Sequence, residues 1–264
     1  MDLQLRGKRA LVTGSTGGIG LAIAKVLARE GAVVAVNGRT EKRVDDALAS
    51  IRRDVPDASL TAVVADLSMA AGTDAAIRAI QNVDILVNNV GIYDAKPFFE
   101  IADAEWFRFF ETNVMSGVRL SRHYLSGMRG KNWGRIIFVS SESAVQIPAE
   151  MIHYGMTKTA QVAIARGLAE TVAGTNITVN SVLPGPTRSE GVETFIQQMG
   201  AKPGADTAAF ENDFFKTIRP TSLLKRFETV DEVANMIVYL CSPLASGTTG
   251  AALRVEGGVV RAIL

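Results

Sequence analysis

Thr13-Gly14-Ser15-Thr16-Gly17-Gly18-Ile19-Gly20 joins a short apolar run to a segment of helical period. The run before it, Arg9 to Thr13, reads as a strand. The segment after it, Gly18 to Glu30, repeats apolar residues at helix spacing. Glycines in such a turn allow backbone conformations closed to other residues. They also let main-chain amides approach a pyrophosphate, which then lies at the positive end of the helix. The spacing is T-G-x-x-x-G-x-G and not the G-x-G-x-x-G fingerprint. A glycine-rich turn alone is weak evidence; the strand before it and the amphipathic helix after it supply the context.

The same alternation continues along the chain. Val/Ile-rich runs predict strands at Val33 to Asn37, Leu60 to Ala65, Ile85 to Asn88, Arg135 to Ser140, Thr178 to Leu183 and Ala252 to Val255. Between them, helices are predicted near Glu41 to Arg53, Ala71 to Gln81, Ala104 to Met128, Ile152 to Thr171 and Val230 to Cys241. Strands with nearly all-apolar interiors are covered on both faces. This is an α/β chain built as one doubly wound parallel sheet of about seven strands, with helices on both faces. One segment breaks the rhythm. Residues 185–226 carry Pro186, Gly191, Gly200, Pro203, Gly204 and Pro220 among Phe195, Phe210, Phe214 and Phe215. A long excursion at the carboxyl edge of an open sheet reads as a substrate lid, the alternative being an ordinary surface helical insertion.

Composition excludes several classes. At 264 residues the chain is long enough for one large domain, and 47% hydrophobic residues rule out extensive disorder. Its 28 basic residues balance 27 acidic ones, leaving no field for nucleic acid or an anionic membrane. Cys241 is the only cysteine, which excludes an internal disulfide and a cysteine-built metal site. His123 and His153 are too few for a histidine-rich site, and no metal is expected. No apolar stretch reaches the ~18 residues of a membrane span, and no secretory signal pattern opens the chain. A cytosolic protein acting on a small molecule is expected.

Tyr154-Gly155-Met156-Thr157-Lys158 places a phenol and an ammonium on one helix face. An ammonium held beside a phenol favours the phenolate, so the tyrosine exchanges a proton with a substrate oxygen near neutral pH. Surface helices carry such pairs often. This one gains weight from its companions in order: the glycine turn, Asn88-Asn89-Val90-Gly91 (a variant of N-N-A-G), Asn113, Ser141, and then Pro184-Gly185. In these motifs, from Gly7 to about Val260, the sequence resembles the short-chain dehydrogenase/reductase family.

The resemblance implies a single Rossmann-like NAD(P)-binding catalytic domain over residues 1–264, interconverting a ketone and a secondary alcohol. It assigns Tyr154 as general acid in reduction and base in oxidation. Lys158 lowers the pKa of that tyrosine and binds the nicotinamide ribose, and Ser141 donates to the substrate oxygen. Asn113 holds a water linking Lys158 to solvent. Ser140 competes with Ser141, but the thirteen-residue spacing to Tyr154 selects Ser141. Cofactor contacts are implied for Gly14, Ser15, Thr16, Gly18, Ile19 and Gly20 at the turn. Asp66, with Leu67 beside it, matches the position that contacts adenine, although an Asp there is equally a helix cap. Asn89 and Gly91 lie beside the adenosine ribose, with Asn88 bracing neighbouring strands. Pro184, Gly185 and Thr187 pack at the nicotinamide, with Ser189 a competing hydroxyl.

An acid at the end of the second strand would bond the ribose hydroxyls and repel a 2′-phosphate. This chain reads Asn37-Gly38-Arg39-Thr40, with a guanidinium suited to phosphate, so NADP(H) is expected over NAD(H). Departures from the family pattern cluster near the substrate. Glu142 follows Ser141 and His153 precedes Tyr154, each either lining the pocket or facing water at its rim. A rival reading is a 3-oxoacyl-[acyl-carrier-protein] reductase, which needs basic residues to dock an acidic carrier. At the corresponding places stand Asn132 and Thr175, with Arg129 and Lys131 nearby. A catalytically silent nucleotide-binding scaffold is a third, opposed by the four filled catalytic positions. The resemblance further implies a homotetramer. It puts the long fourth and fifth helices in one interface, and Gly250 to Val255 with the apolar tail Val259 to Leu264 in the other. The alternative is a tail folded over its own subunit.

Overall fold

The structure, a computed structural model, describes residues 1–189 and 207–263. Seven strands form one parallel sheet: β1 (Arg9–Val12), β2 (Val33–Gly38), β3 (Leu60–Val64), β4 (Ile85–Asn88), β5 (Gly134–Val139), β6 (Ile177–Pro184) and β9 (Ala252–Val255). Their spatial order is β3-β2-β1-β4-β5-β6-β9, the Rossmann-like arrangement expected. The chain runs outward from β1 to β3, then crosses back to β4. The crevice at the carboxyl ends of β1 and β4 is therefore the switch point where such sheets bind ligands.

Helices α1 (Gly18–Arg29), α2 (Glu41–Asp54), α3 (Ala70–Ala79), α4 (Asp103–Phe110), α5 (Ser116–Lys131), α6 (Ile152–Thr171), α7 (Thr207–Thr217) and α8 (Val230–Cys241) surround the sheet. Pleating sends alternate residues to opposite layers. Ala10 and Val12 pack with Ile23 and Leu27 of α1 and Ile237 of α8. Leu11 packs with Tyr124 and Met128 of α5 and Ala165 of α6. Every one of these side chains is at least 95% buried or better, the physical reason the strands read as unbroken apolar runs.

Three expectations change. The single helix predicted from Ala104 to Met128 is α4 and α5 joined by a π-turn, Glu111–Met115, with Asn113 at its centre. Within residues 185–226, α7 is a helix, and β7 (Thr187–Arg188) forms a short parallel ladder with β8 (Glu228–Thr229), just beyond that segment. Gly191, Phe195, Gly200, Pro203 and Gly204 lie outside the described residues. The tail also divides. Val259 and Val260 are buried in their own subunit, where Thr221 Oγ1 donates to Val259 O at 2.6 Å, whereas Ile263 is 93% exposed. Among the described residues, no helix is long and apolar enough to cross a membrane.

Candidate active site

The glycine turn leaves β1 with Gly14 at φ +59°, a conformation natural to glycine. A Cβ on Gly20 would stand 2.4 Å from Gly14 O and 2.6 Å from Asn89 Nδ2, so α1 begins in direct backbone contact with the turn. Helix α1 opens at Gly17 with no side-chain cap, and its first N–H groups remain available to an anion. Asn37 braces the turn from β2: its Oδ1 accepts from Gly14 N at 3.0 Å, and its Nδ2 donates to Val63 O and Ala65 O. Ser15 departs from its assigned role. Its Oγ is fully buried, donating to Val12 O at 2.7 Å and accepting from Asn37 N at 2.9 Å. It shapes the turn from inside and does not line the cleft.

The cleft has two lobes. One, of about 470 Å³, is lined by Gly14, Thr16, Arg39, Asp66, Leu67, Asn89 and Gly91, and also by Arg43, which the sequence reading did not single out. Asp66 is not a helix cap. Its Oδ1 accepts from Ser68 N at 3.0 Å, and α3 starts later, behind Met69, without a side-chain cap. Both asparagines brace the fold, and Asn89 also lines this lobe. Asn88 Nδ2 donates to Ser121 Oγ on α5, fastening sheet to helix, while Asn89 Nδ2 ties β4 to the β1 turn through Thr13 O and Gly14 O. The second lobe, of about 260 Å³, is lined by Ile19, Gly20, Ser141, Tyr154, Lys158, Pro184, Gly185, Thr187 and Ser189 among others. Both candidate hydroxyls thus reach it, with Thr187 Oγ1 donating to Gly185 O at 2.9 Å. Gly18, at φ +52°, turns the chain without lining either lobe.

Ser141 follows β5, while Tyr154 and Lys158 lie one turn apart on α6, so strand and helix aim three polar groups at one lobe. Lys158 Nζ is 5.5 Å from the Tyr154 ring centroid and donates to Val139 O at 2.9 Å. Burial pushes the Lys158 ammonium down to about 7. Burial also raises the Tyr154 phenol, opposed by Ser141 and reinforced by the Glu142 carboxylate. Burial thus favours the protonated phenol over the phenolate expected from the Tyr–Lys spacing.

Asn113 is fully buried. Its side chain clasps the main chain of Ile92, accepting from Ile92 N at 2.7 Å and donating to Ile92 O at 2.9 Å. The π-turn presents its own carbonyl to Gln161 Nε2 at 2.6 Å, and Gln161 Oε1 accepts from Lys158 Nζ at 3.2 Å. Gln161 was not anticipated, although it stands three residues beyond Lys158 on the same helix face.

Neither departure from the family pattern faces water. Glu142 is buried in the wall of the second lobe, where Oε1 accepts from Arg219 Nε at 2.9 Å. Its Oε2 accepts from Ser143 Oγ and, at 3.4 Å, from Ser141 Oγ. Arg219 Nη1 reaches Glu150 Oε1 at 3.4 Å. Arg219 lies in the region after α7, so sequence distance concealed its partnership with Glu142. His153 is fully buried against Phe109, ring centroids 4.1 Å apart, and lines neither lobe. Burial holds it below its usual pKa, hence neutral.

A nicotinamide dinucleotide fits these residues: an uncapped helix beside a glycine-tight turn for the phosphates, and a polar pocket at Tyr154 for the reacting ring. Bound there, it supplies or accepts the hydride. Such a cleft is the layout of a dinucleotide-dependent oxidoreductase, and comparison with known proteins narrows the class. Residues 8–200 match the model of the short chain dehydrogenase family. The chain is 48% identical, over 100% of both lengths, to the uncharacterized oxidoreductase YvaG of Bacillus subtilis (strain 168). It is 32% identical to the 3-oxoacyl-[acyl-carrier-protein] reductase FabG of Aquifex aeolicus (strain VF5), over 98% of this chain and 100% of that one. Among solved structures, L-sorbose reductase from Gluconobacter frateurii, complexed with NADPH and L-sorbose, matches with a TM-score of 0.92. The identity is 32% over 100% of both chains. The chain belongs to the short-chain dehydrogenase family of oxidoreductases.

Proposed function

We propose that the protein is a cytosolic, NADP(H)-dependent oxidoreductase that interconverts a ketone and a secondary alcohol. The observation that carries this reading is the convergence of Ser141, Tyr154 and Lys158 on a lobe that also borders the open N-terminus of α1 and the Pro184-Gly185 turn. Ser141 Oγ orients the substrate oxygen, and the Tyr154 phenol delivers its proton there as the carbonyl carbon is reduced. Lys158, fixed by Val139 O and Gln161, holds the nicotinamide ribose beside that phenol. A buried phenol keeps its proton near neutral pH, which suits the general acid needed in the reductive direction.

Arg39 and Arg43 line the adenosine-side lobe, and Gly38 ends β2 where an acid would oppose a 2′-phosphate, which supports NADP(H). The NADPH complex of the sorbose reductase agrees with this choice. The likeness to the carrier-dependent reductase keeps that substrate as the second reading. Weighing against it, Lys131 pairs with Asp84 at 2.8 Å and Arg129 donates to Thr171 O, so both nearby cations already have partners. Loss of reduced-nicotinamide absorbance on mixing the protein with NADPH and a panel of ketones tests the reaction. No turnover of any ketone or secondary alcohol with either cofactor contradicts it.

A further inference from the structure

The Glu142–Arg219 pair neither gives nor takes the proton assigned to Tyr154, yet it forms part of the wall beside the reacting atoms. We propose that this pair selects the substrate, and that the substrate is a neutral polyhydroxylated ketone or the corresponding polyol. The proposal rests on the carbonyl-reductase reading above.

Position is the first support. Glu142 directly follows Ser141 and accepts from its Oγ at 3.4 Å, so a group bonded next to the substrate carbonyl meets this carboxylate. The pair is also dry, with side chains 5% and 12% exposed. Taking two charges out of water is costly, and apolar packing would serve a purely structural wall at least as well.

Charge balance disfavours anionic substrates. Arg219 faces two carboxylates, Glu142 at 2.9 Å and Glu150 at 3.4 Å, leaving the cluster net negative. Among the described residues lining this lobe, the one other cation is Lys158, whose Nζ is held by Val139 O and Gln161. A carboxylate or phosphate brought beside Glu142 would meet two carboxylates with only the Nη2 edge of Arg219, a cation already shared between them, to offset the repulsion. An apolar ketone, in turn, would strip water from the pair and return nothing.

Hydroxyls match what remains. Among the described residues the Glu150 carboxylate has one partner, Arg219, and is partly exposed, so it still accepts. The Nη2 hydrogens of Arg219 have no partner among the described residues, so they still donate. A hydroxyl group does both, accepting from the guanidinium and donating to a carboxylate. The same lobe is also lined by Met151, Phe214, Ile218 and Phe227, which offer apolar surface to the C–H face of a polyhydroxylated chain. A lobe with both charged and apolar lining is the complement of a molecule with hydroxyl and C–H faces.

Three six-carbon ketones matched in length test this: D-fructose, 2-hexanone and 3-oxohexanoate, each assayed with NADPH and with NADH. The expected kcat/KM for D-fructose exceeds both others by about tenfold or more. Glu142→Gln keeps shape and a hydrogen-bonding head while removing the charge. It should lower kcat/KM for D-fructose about tenfold more than that for 2-hexanone, which reports any effect passed on through Ser141 and Tyr154. A ranking led by 2-hexanone or 3-oxohexanoate in the unmodified protein overturns the proposal while leaving the reductase reading intact. So does an equal loss on both neutral ketones in Glu142→Gln, which would make the pair a structural clasp. If the variant fails to fold, the ranking in the unmodified protein decides alone. Turnover of none of the three while another ketone of the wider panel is reduced overturns the proposal alone, and no turnover across that whole panel overturns the reductase reading.

Discussion

Lys158 and Gln161, three residues apart on α6, are joined by a hydrogen bond of 3.2 Å from Nζ to Oε1, and the same carboxamide donates to the Asn113 carbonyl at 2.6 Å. Gln161 is 1% exposed, so nothing competes for these bonds. It positions the lysine by linking helix α6 to the π-turn.

A charge at that position should therefore move the titration of Lys158. Gln161→Glu places a carboxylate against the ammonium and favours its charged form. The limb of the kcat profile governed by Lys158 should rise by on the order of one pH unit. Gln161→Leu leaves a buried carbonyl unpaired and should reduce stability by ~1–3 kcal/mol. A pH profile unmoved in Gln161→Glu would make the contact structural only.

Arg39 lines the adenosine-side lobe with no acid at the end of β2 to oppose it. Removing a charge-assisted contact to a 2′-phosphate costs about 1.5–3 kcal/mol. Arg39→Ala should weaken NADPH binding about tenfold or more and leave NADH nearly unchanged, as read by fluorescence titration of each. Equal losses for both cofactors would remove the basis for the NADP(H) assignment.

Burial holds Lys158 at about 7 against an ordinary value of 10.5. Between those values the unfolded chain binds more protons than the folded one, so unfolding free energy should climb as pH rises from about 7 toward 10. The penalty is fully present below the folded value and relieved above the unfolded one. Lys158→Met should flatten this slope and stabilise the cofactor-free protein at neutral pH. Urea denaturation across that range checks it, and parallel slopes in the two proteins would count against a buried, proton-shedding lysine.

Phe99 is 97% exposed and Phe107, on α4, 73% exposed, with Phe98 and Phe110 partly so. An aromatic patch this open is better covered by a second copy than by water. Light scattering at micromolar concentration should report a homotetramer, and Phe107→Asp should shift it toward smaller species. Deleting Ala262 to Leu264 spares the docked Val259 and Val260, so it isolates the role of the tail. A full-length monomer would contradict the assembly.

The sheet was legible because strands covered on both faces cannot hide: Ala10, Leu11 and Val12 are all fully buried, and the chain spells them as apolar. The glycine turn was legible because its backbone leaves no room for a Cβ. Legibility failed where a side chain's partner is distant in sequence or where packing sets its direction. Glu142 read as a possible rim residue because its counter-charge, Arg219, is supplied by a segment whose path local pattern does not encode. Ser15 read as a cofactor contact because spacing shows that a residue lies in the turn, not which way its hydroxyl points. The π-turn at Asn113 escaped because five-residue hydrogen bonding leaves the apolar stripe of the helix nearly unchanged. The upward push on the Tyr154 phenol escaped for another reason: desolvation is a property of the folded pocket, which the Tyr–Lys spacing does not carry.

The central claim is that the Tyr154 hydroxyl is the proton donor in a reductase site, and replacing that one atom tests it. In Tyr154→Phe the ring still packs between Lys158 and Tyr93, whose centroid lies 6.2 Å away. Turnover of a ketone substrate with NADPH should fall about a hundredfold or more, while NADPH binding measured by fluorescence titration stays within about threefold. A Tyr154→Phe protein that reduces the ketone at a rate near that of the unmodified protein would contradict the account.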